Sequence, residues 1–260
     1  MAPGHEEIVI FKISEYDMIN DLQALTDNEL YEIGYTQEQI NELRAIDYDA
    51  LLRSMQKTSE SKLKDKGYSD AKIAAVKSYS GTEAEMRAAA ATLIGTYSPV
   101  MFSYANGKTT FSCRLSWNWD TMPVWTFHDI VACSISENMY YNSESYHQVS
   151  YYYPDNYNQY YKTIKYSMKP DAPTGIMSNT FDMNLYNTPG GEKGVAKYGY
   201  AFFKWDKMGS VPEVAGFIKY GHAIFSITPS ISLGADGISF SIEPGLTINE
   251  DYNNYYHEYR

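Results

Sequence analysis

Residues Thr109-Thr110-Phe111-Ser112-Cys113-Arg114-Leu115-Ser116-Trp117-Asn118-Trp119 decide the fold class, because apolar and polar side chains alternate from Thr110 onward. Successive side chains of a strand point to opposite faces, so Phe111, Cys113, Leu115, Trp117 and Trp119 share one face and Thr110, Ser112, Arg114, Ser116 and Asn118 the other. That is the pattern of a half-buried strand. Read outward with the same period, the chain gives further strands over 126–136, 146–153, 160–168, 176–186, 195–205, 215–229 and 238–248. Turn signals separate them at Asp120-Thr121-Met122-Pro123, Pro154-Asp155-Asn156, Pro173-Thr174-Gly175, Pro189-Gly190-Gly191 and Asp236-Gly237. Antiparallel strands at this spacing predict a β-sandwich domain over residues 97–260.

Upstream, from about residue 14 to 95, the period is helical. Leu30, Gly34, Tyr35, Thr36, Ile40, Leu43 and Arg44 match Leu63, Gly67, Tyr68, Ser69, Ile73, Val76 and Lys77 at one fixed offset. Gly34 and Gly67 fall where a helix ends in a left-handed residue, and Thr36 and Ser69 where the next helix needs a side-chain cap. Thr26 with Glu29, Thr36 with Gln39 and Thr82 with Glu85 have the spacing of capping boxes. The expected fold class is therefore α+β: N-terminal helical hairpin repeats over 1–96, followed by the antiparallel β-sandwich. A plain bundle with one duplicated hairpin is the simpler alternative.

Two resemblances follow from particular residues. Leu30, Gly34-Tyr35-Thr36, Glu38-Gln39-Ile40 and Leu43 resemble the helix, Gly-aromatic loop and helix of ubiquitin-associated domains, whose loop contacts ubiquitin. Arg114 to Pro123, Asp129-Ile130-Val131-Ala132 and Tyr220-Gly221-His222 resemble uncharacterised secreted proteins of Gram-positive bacteria that pair a helical N-terminal region with a β-sandwich. The second resemblance implies export and the fold class, and no activity.

Composition narrows the functional classes. A net charge of -11 sets a repulsive field against phosphate backbones and anionic headgroups, which disfavours nucleic acid as a partner. No run of eighteen apolar residues exists, so no transmembrane helix is expected. Met1-Ala2-Pro3-Gly4-His5 has no charged-then-apolar leader, and the Met reads as a start placed before a mature secreted sequence. No Asn-x-Ser/Thr sequon occurs, so an exported bacterial protein fits better than a glycosylated ectodomain. In such a setting Cys113 and Cys133, symmetric about Pro123, are expected to face one another as a cross-strand disulfide; two buried thiols are the alternative.

Most catalytic constellations fail on spacing. His128 and Asp129 are adjacent, so on a strand they point to opposite faces, and no Gly-x-Ser-x-Gly elbow accompanies a serine. His5, His128, His147, His222 and His257 have no metal-binding helical spacing, so no transition-metal cofactor is expected. Gly190-Gly191-Glu192-Lys193-Gly194 lacks the phosphate-loop spacing. Loop oxygens around Asp155, Asn156, Asp171 or Asp236 leave a structural calcium open. Paired carboxylates suffice for a carbohydrate-active hydrolase, and Asp120 and Asp129 are the candidates, with Asp129 in phase with Phe127, Val131, Cys133 and Ile135.

What sets the chain apart is its 26 tyrosines, dense at Tyr140-Tyr141, Tyr146, Tyr151-Tyr152-Tyr153, Tyr157, Tyr160-Tyr161, Tyr166 and in the tail from Asn249. An exposed aromatic patch of this density marks a partner or sugar-stacking surface, whereas cross-strand pairing of tyrosines would stabilise an edge sheet. Tyr151, Tyr153 and Tyr160, with Trp117 and Trp119, are the candidate ligand-binding residues. The expected function is a non-catalytic, secreted binding protein for a protein or glycan at a cell surface. The alternatives are the hydrolase and a membrane-active β-hairpin toxin, the latter because Ser232 to Glu243 and Thr109 to Trp119 alternate as membrane hairpins do.

Overall fold

A computed structural model describes residues 7–170, 175–187, 192–225, 230–233, 240–243, 246–247 and 254–259. The expectations placed on His5, Asp171, Pro173-Thr174, Pro189-Gly190-Gly191, Asp236-Gly237 and the first residues of the Tyr-rich tail lie outside the described residues.

The chain runs through β1 (Ile8–Ser14), then seven helices, then β2 (Thr92–Ala105), β3 (Lys108–Trp119), β4 (His128–Ser134) and β5 (Tyr140–Tyr141). Next come β6 (Tyr146–Tyr153), β7 (Asn156–Ser167), β8 (Lys169–Pro170), β9 (Ile176–Asp182), β10 (Val195–Met208) and β11 (Glu213–His222). The last described strands are β12 (Ser230–Leu233), β13 (Phe240–Glu243), β14 (Leu246–Thr247) and β15 (Asn254–Tyr259). A seven-stranded sheet has the order β1-β2-β3-β10-β6-β7, with β5 also on β10. A six-stranded sheet has the order β14-β11-β4-β9-β8, with β15 also on β11, and β12 pairs with β13 alone. Every pairing within these sheets is antiparallel.

The inner faces of the two large sheets meet through aromatic rings. Trp117 of β3 stacks on Phe181 of β9 at 5.2 Å between centroids and meets Tyr220 of β11 edge-on at 5.4 Å. His147 of β6 lies 4.7 Å from Phe181, also edge-on. Phe111, Cys113, Leu115, Trp117 and Trp119 are all buried, as their alternation requires.

The expected helical hairpin repeats are overturned. Among the described residues strand outweighs helix, 47% to 27%. Its helices are α1 (Glu15–Ala24), α2 (Asp27–Glu32), α3 (Gln37–Ala45), α4 (Tyr48–Gln56), α5 (Glu60–Asp65), α6 (Asp70–Ser78) and α7 (Glu83–Ala89). Helices of six to ten residues have little stability of their own and need an external surface to pack on. Here that surface is supplied by the β-sheets and their loops. Tyr48 of α4 stacks on Trp125 at 6.3 Å, Tyr35 meets Phe225 edge-on at 6.0 Å, and Asn158 Nδ2 of β7 donates to Lys64 O at 2.8 Å. One hydrophobic core runs from Met18, Leu30, Leu52 and Val76 of the helices into Leu115, Phe203 and Val214 of the sheets.

The likeness between the two helical segments lies in caps, connecting bonds and matched buried residues, Leu30 with Leu63, Tyr35 with Tyr68, Ile40 with Ile73 and Leu43 with Val76. Gly34 and Gly67 have φ of 94° and 82°, and Thr36 and Ser69 cap α3 and α6. Gln23 Nε2 donates to Leu43 O and Ile46 O, and Gln56 Nε2 to Lys77 O and Tyr79 O. All three capping boxes form. The capping bonds satisfy helix ends locally, and the two glutamines tie α1 to the end of α3 and α4 to the end of α6.

β1 is a second departure, since Ile8-Val9-Ile10-Phe11 has no alternation to betray it. It pairs with the first half of β2, and the Phe11 ring occupies the space that a side chain at Gly95 would need.

Cys113 and Cys133 are not on neighbouring strands. Residues 120–127 cross from the seven-stranded to the six-stranded sheet instead of folding back as a hairpin, so Cys113 sits on β3 and Cys133 on β4 of the other sheet. Neither forms a disulfide, and both thiols are buried and interact with one another.

Candidate functional site

β10, β6 and β3 determine which tyrosines reach the outer face of the seven-stranded sheet. On β10, Gly199, Ala201, Phe203 and Trp205 alternate with Tyr198, Tyr200, Phe202 and Lys204; the buried Ala201, Phe203 and Trp205 fix the first set inward and hence the second outward. On β6, His147, Val149 and Tyr151 are buried, which turns Tyr146, Gln148 and Tyr152 outward.

The outward rings form two groups. Tyr152 lies 6.0 Å from Tyr198 and 5.9 Å from Tyr160, and Tyr146 lies 5.7 Å from both Tyr200 and Phe202. Cations lie over the same rings: Lys165 at 3.7 Å from the Tyr146 centroid, Lys197 at 5.0 Å from Tyr152 and Arg114 at 5.9 Å from Tyr200. The hydroxyls of Tyr146 and Tyr200 are 3.1 Å apart, and that bond together with partial burial pushes Tyr146 up to about 12. Tyr198 and Tyr160 remain 42% and 52% exposed.

Beside these groups, on the β3 side of β10, the outer surface sinks into a groove of about 340 Å³. It is bordered by Tyr198 and Tyr200, crosses Ser116 and Asn118 of β3, and ends on Ile94 and Thr96 of β2, with Glu7 at the rim. Gly199 keeps the sheet thin here: a Cβ would stand 2.5 Å from Gln148 O and 2.7 Å from the Trp117 ring.

The expected binding residues separate on these facts. Tyr160 is on the outer face and exposed. Tyr153 is half-buried and packs edge-on against Tyr161 at 5.0 Å. Tyr151, Trp117 and Trp119 are core residues: Tyr151 is buried with its hydroxyl donating to Asp182 O at 2.9 Å, and Trp117 Nε1 donates to His147 Nε2 at 3.1 Å. Only the edge of Trp117 reaches the groove floor, while Trp119 lies against the His222 ring at 4.9 Å. A side chain enclosed in this way cannot serve as a stacking platform. Tyr198, Tyr200 and Tyr152 take that place; the alternation of β10, read with Ala201 as the inward residue, is the signal that marks the first two.

The candidate carboxylates are both committed. Asp129 points inward and is fully buried, accepting from the Tyr220 hydroxyl and bonding His222 Nδ1 at 2.7 Å. It sits opposite His222 in the register of β4 and β11, which places both on one face. Burial pushes the His222 imidazole down, but the Asp129 charge and hydrogen bond, with Glu15 adding, carry it up. Asp120 accepts from Thr92 N at 2.8 Å and pairs with Lys72 at 3.0 Å. His128, on the opposite face from Asp129, bonds Asp182 at 2.9 Å.

Glu15 completes this buried cluster and has no sequence signal, since an acidic residue at the start of a helix is ordinary. Its carboxylate accepts from Val124 N at 2.8 Å and Trp125 N at 3.0 Å, joining α1 to the connection between the sheets. Burial pushes it up to about 7, against the pull of His222, the two N–H groups and Lys72. His147 differs: burial brings it down to about 4, and Asn179 at 2.8 Å holds the other ring nitrogen. Among the described residues no three His, Cys, Asp or Glu side chains gather as a metal-binding group, and no helix is long and apolar enough to cross a membrane. Asp155 is exposed and Asn156 Oδ1 accepts from Asn158 N.

No family model and no curated protein matches the chain. Among solved structures, the delta-toxin of Clostridium perfringens is similar to 69% of this chain over 84% of its own, at 9% identity and a TM-score of 0.21, too low a likeness to argue from.

Proposed function

We propose that the chain is a secreted, non-catalytic binding protein that attaches to a cell-surface ligand, glycan or protein, through the outer face of its seven-stranded sheet. One observation carries the reading. The core is filled by other aromatic residues, including Tyr151, Tyr157 and Tyr220, while Tyr160 and Tyr198 stay exposed on the outer face beside the half-buried Tyr152 and Tyr200. Exposed rings grouped on a rigid sheet give contact area at small entropy cost. Charge supports the same face, because Lys165 and Lys197 lie over its rings on a chain of net charge -11.

The hydrolase reading loses its residues on geometry: Asp129 is enclosed by Tyr220 and His222, and Asp120 is held by Lys72 and Thr92 N. The test is attachment of labelled protein to intact bacterial and animal cells. The double variant Tyr152→Ala/Tyr198→Ala should fold with an unchanged far-ultraviolet spectrum and lose at least tenfold in attachment. Equal attachment by wild type and variant, or none by wild type on any cell type, refutes the reading.

A further inference from the structure

Resting on that reading and deepening it, we infer that the groove between Tyr198, Tyr200 and β2 is a subsite for a single neutral pyranose ring of a glycan.

Strand register defines its construction. Asn118 stands opposite Tyr198 on one side and Ile94 on the other; Ser116 stands opposite Tyr200 and Thr96. Two parallel rows therefore cross the groove, Ile94-Asn118-Tyr198 and Thr96-Ser116-Tyr200, each with an aromatic end and a polar middle. Adjacent strands are ~4.8 Å apart, so the rows span ~10 Å, which accommodates one sugar ring but not a folded protein segment. At about 340 Å³ the groove is at the small end of ligand sites, which run to ~1,000 Å³.

The lining chemistry is that of a sugar ring, apolar on its C–H face and ringed by hydroxyls. Tyr198 and Tyr200 offer aromatic surface, and Ile94 an apolar wall. The side chains of Thr96, Ser116 and Asn118 make no hydrogen bond among the described residues, so two hydroxyls and an amide are available to donate and accept. A peptide strand fits poorly, because β2, β3 and β10 hydrogen-bond one another across the groove and leave no backbone edge there to pair with. An anionic sugar fits poorly too. No lysine or arginine lines the groove, and the rim carboxylate of Glu7 keeps the nearby Arg114 paired.

Saturation-transfer NMR on the full chain tests this, with the methyl glycosides of glucose, galactose, mannose and N-acetylglucosamine as neutral probes and N-acetylneuraminic acid as the acidic one. At least one neutral glycoside should receive saturation, with a titrated Kd that rises tenfold or more in Tyr198→Ala and in Asn118→Ala and stays within twofold in Tyr140→Ala, whose exposed ring lies beside Asp206, outside the groove. Thr96→Ala, a smaller change, should weaken binding in the same direction and guards against a variant that misfolds. The inference falls if no neutral glycoside binds, if the acidic sugar binds better, or if Tyr140→Ala weakens binding as much as Tyr198→Ala. Should these tests fail while the cell attachment of the wild type still depends on Tyr152 and Tyr198, the sugar subsite is wrong and the recognition face stands.

Discussion

Replacing Glu15 by glutamine should change how stability depends on pH, and the sign follows from the burial of that carboxyl. In the folded protein it titrates near 7, raised from an ordinary 4.5. Below about pH 4.5 both the folded and the unfolded chain hold the proton, and Glu15 contributes no pH dependence. Between 4.5 and 7 the unfolded chain gives up its proton while the folded chain keeps it, so each step upward in pH favours unfolding. Above 7 the folded carboxylate is charged and buried, and the full penalty applies. The gap between 4.5 and about 7, at about 1.4 kcal/mol per pH unit, amounts to about 3 kcal/mol. Glutamine keeps an oxygen to accept from Val124 N or Trp125 N and does not titrate. Glu15→Gln should therefore gain about 3 kcal/mol relative to wild type between pH 4.5 and pH 8. His222, raised by Asp129, contributes stability present at low pH and lost as pH rises, so some slope of the same sign survives in the variant. Urea unfolding at half-unit pH intervals from 4.5 to 8.5 measures both curves. Parallel curves for wild type and variant would refute the buried-carboxylate account.

Two further outcomes test the packing. Gly95→Ala places a Cβ 2.1 Å from the Phe11 ring, so β1 must shift on β2; a loss of roughly 1–3 kcal/mol in chemical denaturation is expected, and a neutral effect would mean that β1 does not pack as described. Cys113 and Cys133 are enclosed, with burial foremost in raising the Cys113 thiol, so a colorimetric thiol reagent should react with neither until the protein unfolds; rapid reaction in native buffer would contradict their position between the sheets.

Local chemistry was legible in the sequence wherever it acts over a few residues. The Thr36 to Gln39 box and the left-handed Gly34 depend only on neighbours, and both form. The bounds of β6, Tyr146 to Tyr153, are those the alternation gives. Long-range choices were not legible. Alternation separates Tyr151 from Tyr152 but does not say which faces inward; that depends on Asp182 O being in place to receive the Tyr151 hydroxyl, a contact between sheets. Helical periodicity from residue 14 identified helices without showing that they are too short to stack alone and must lie against Trp125, Phe225 and β7. Asp129 and His222, 93 residues apart in sequence, meet only because β4 and β11 pair.

Hydroxyl-radical footprinting of the protein, free and attached to cells, tests the recognition face most directly, because tyrosine oxidation follows side-chain exposure. Free protein should be modified at Tyr198, Tyr160 and Tyr140 and spared at Tyr151, Tyr157 and Tyr220. On attachment, Tyr198 and Tyr160 should become protected while Tyr140, at the far end of the sheet beside Asp206, stays reactive. Protection confined to other surfaces, with Tyr198 and Tyr160 as reactive as before, would contradict the account.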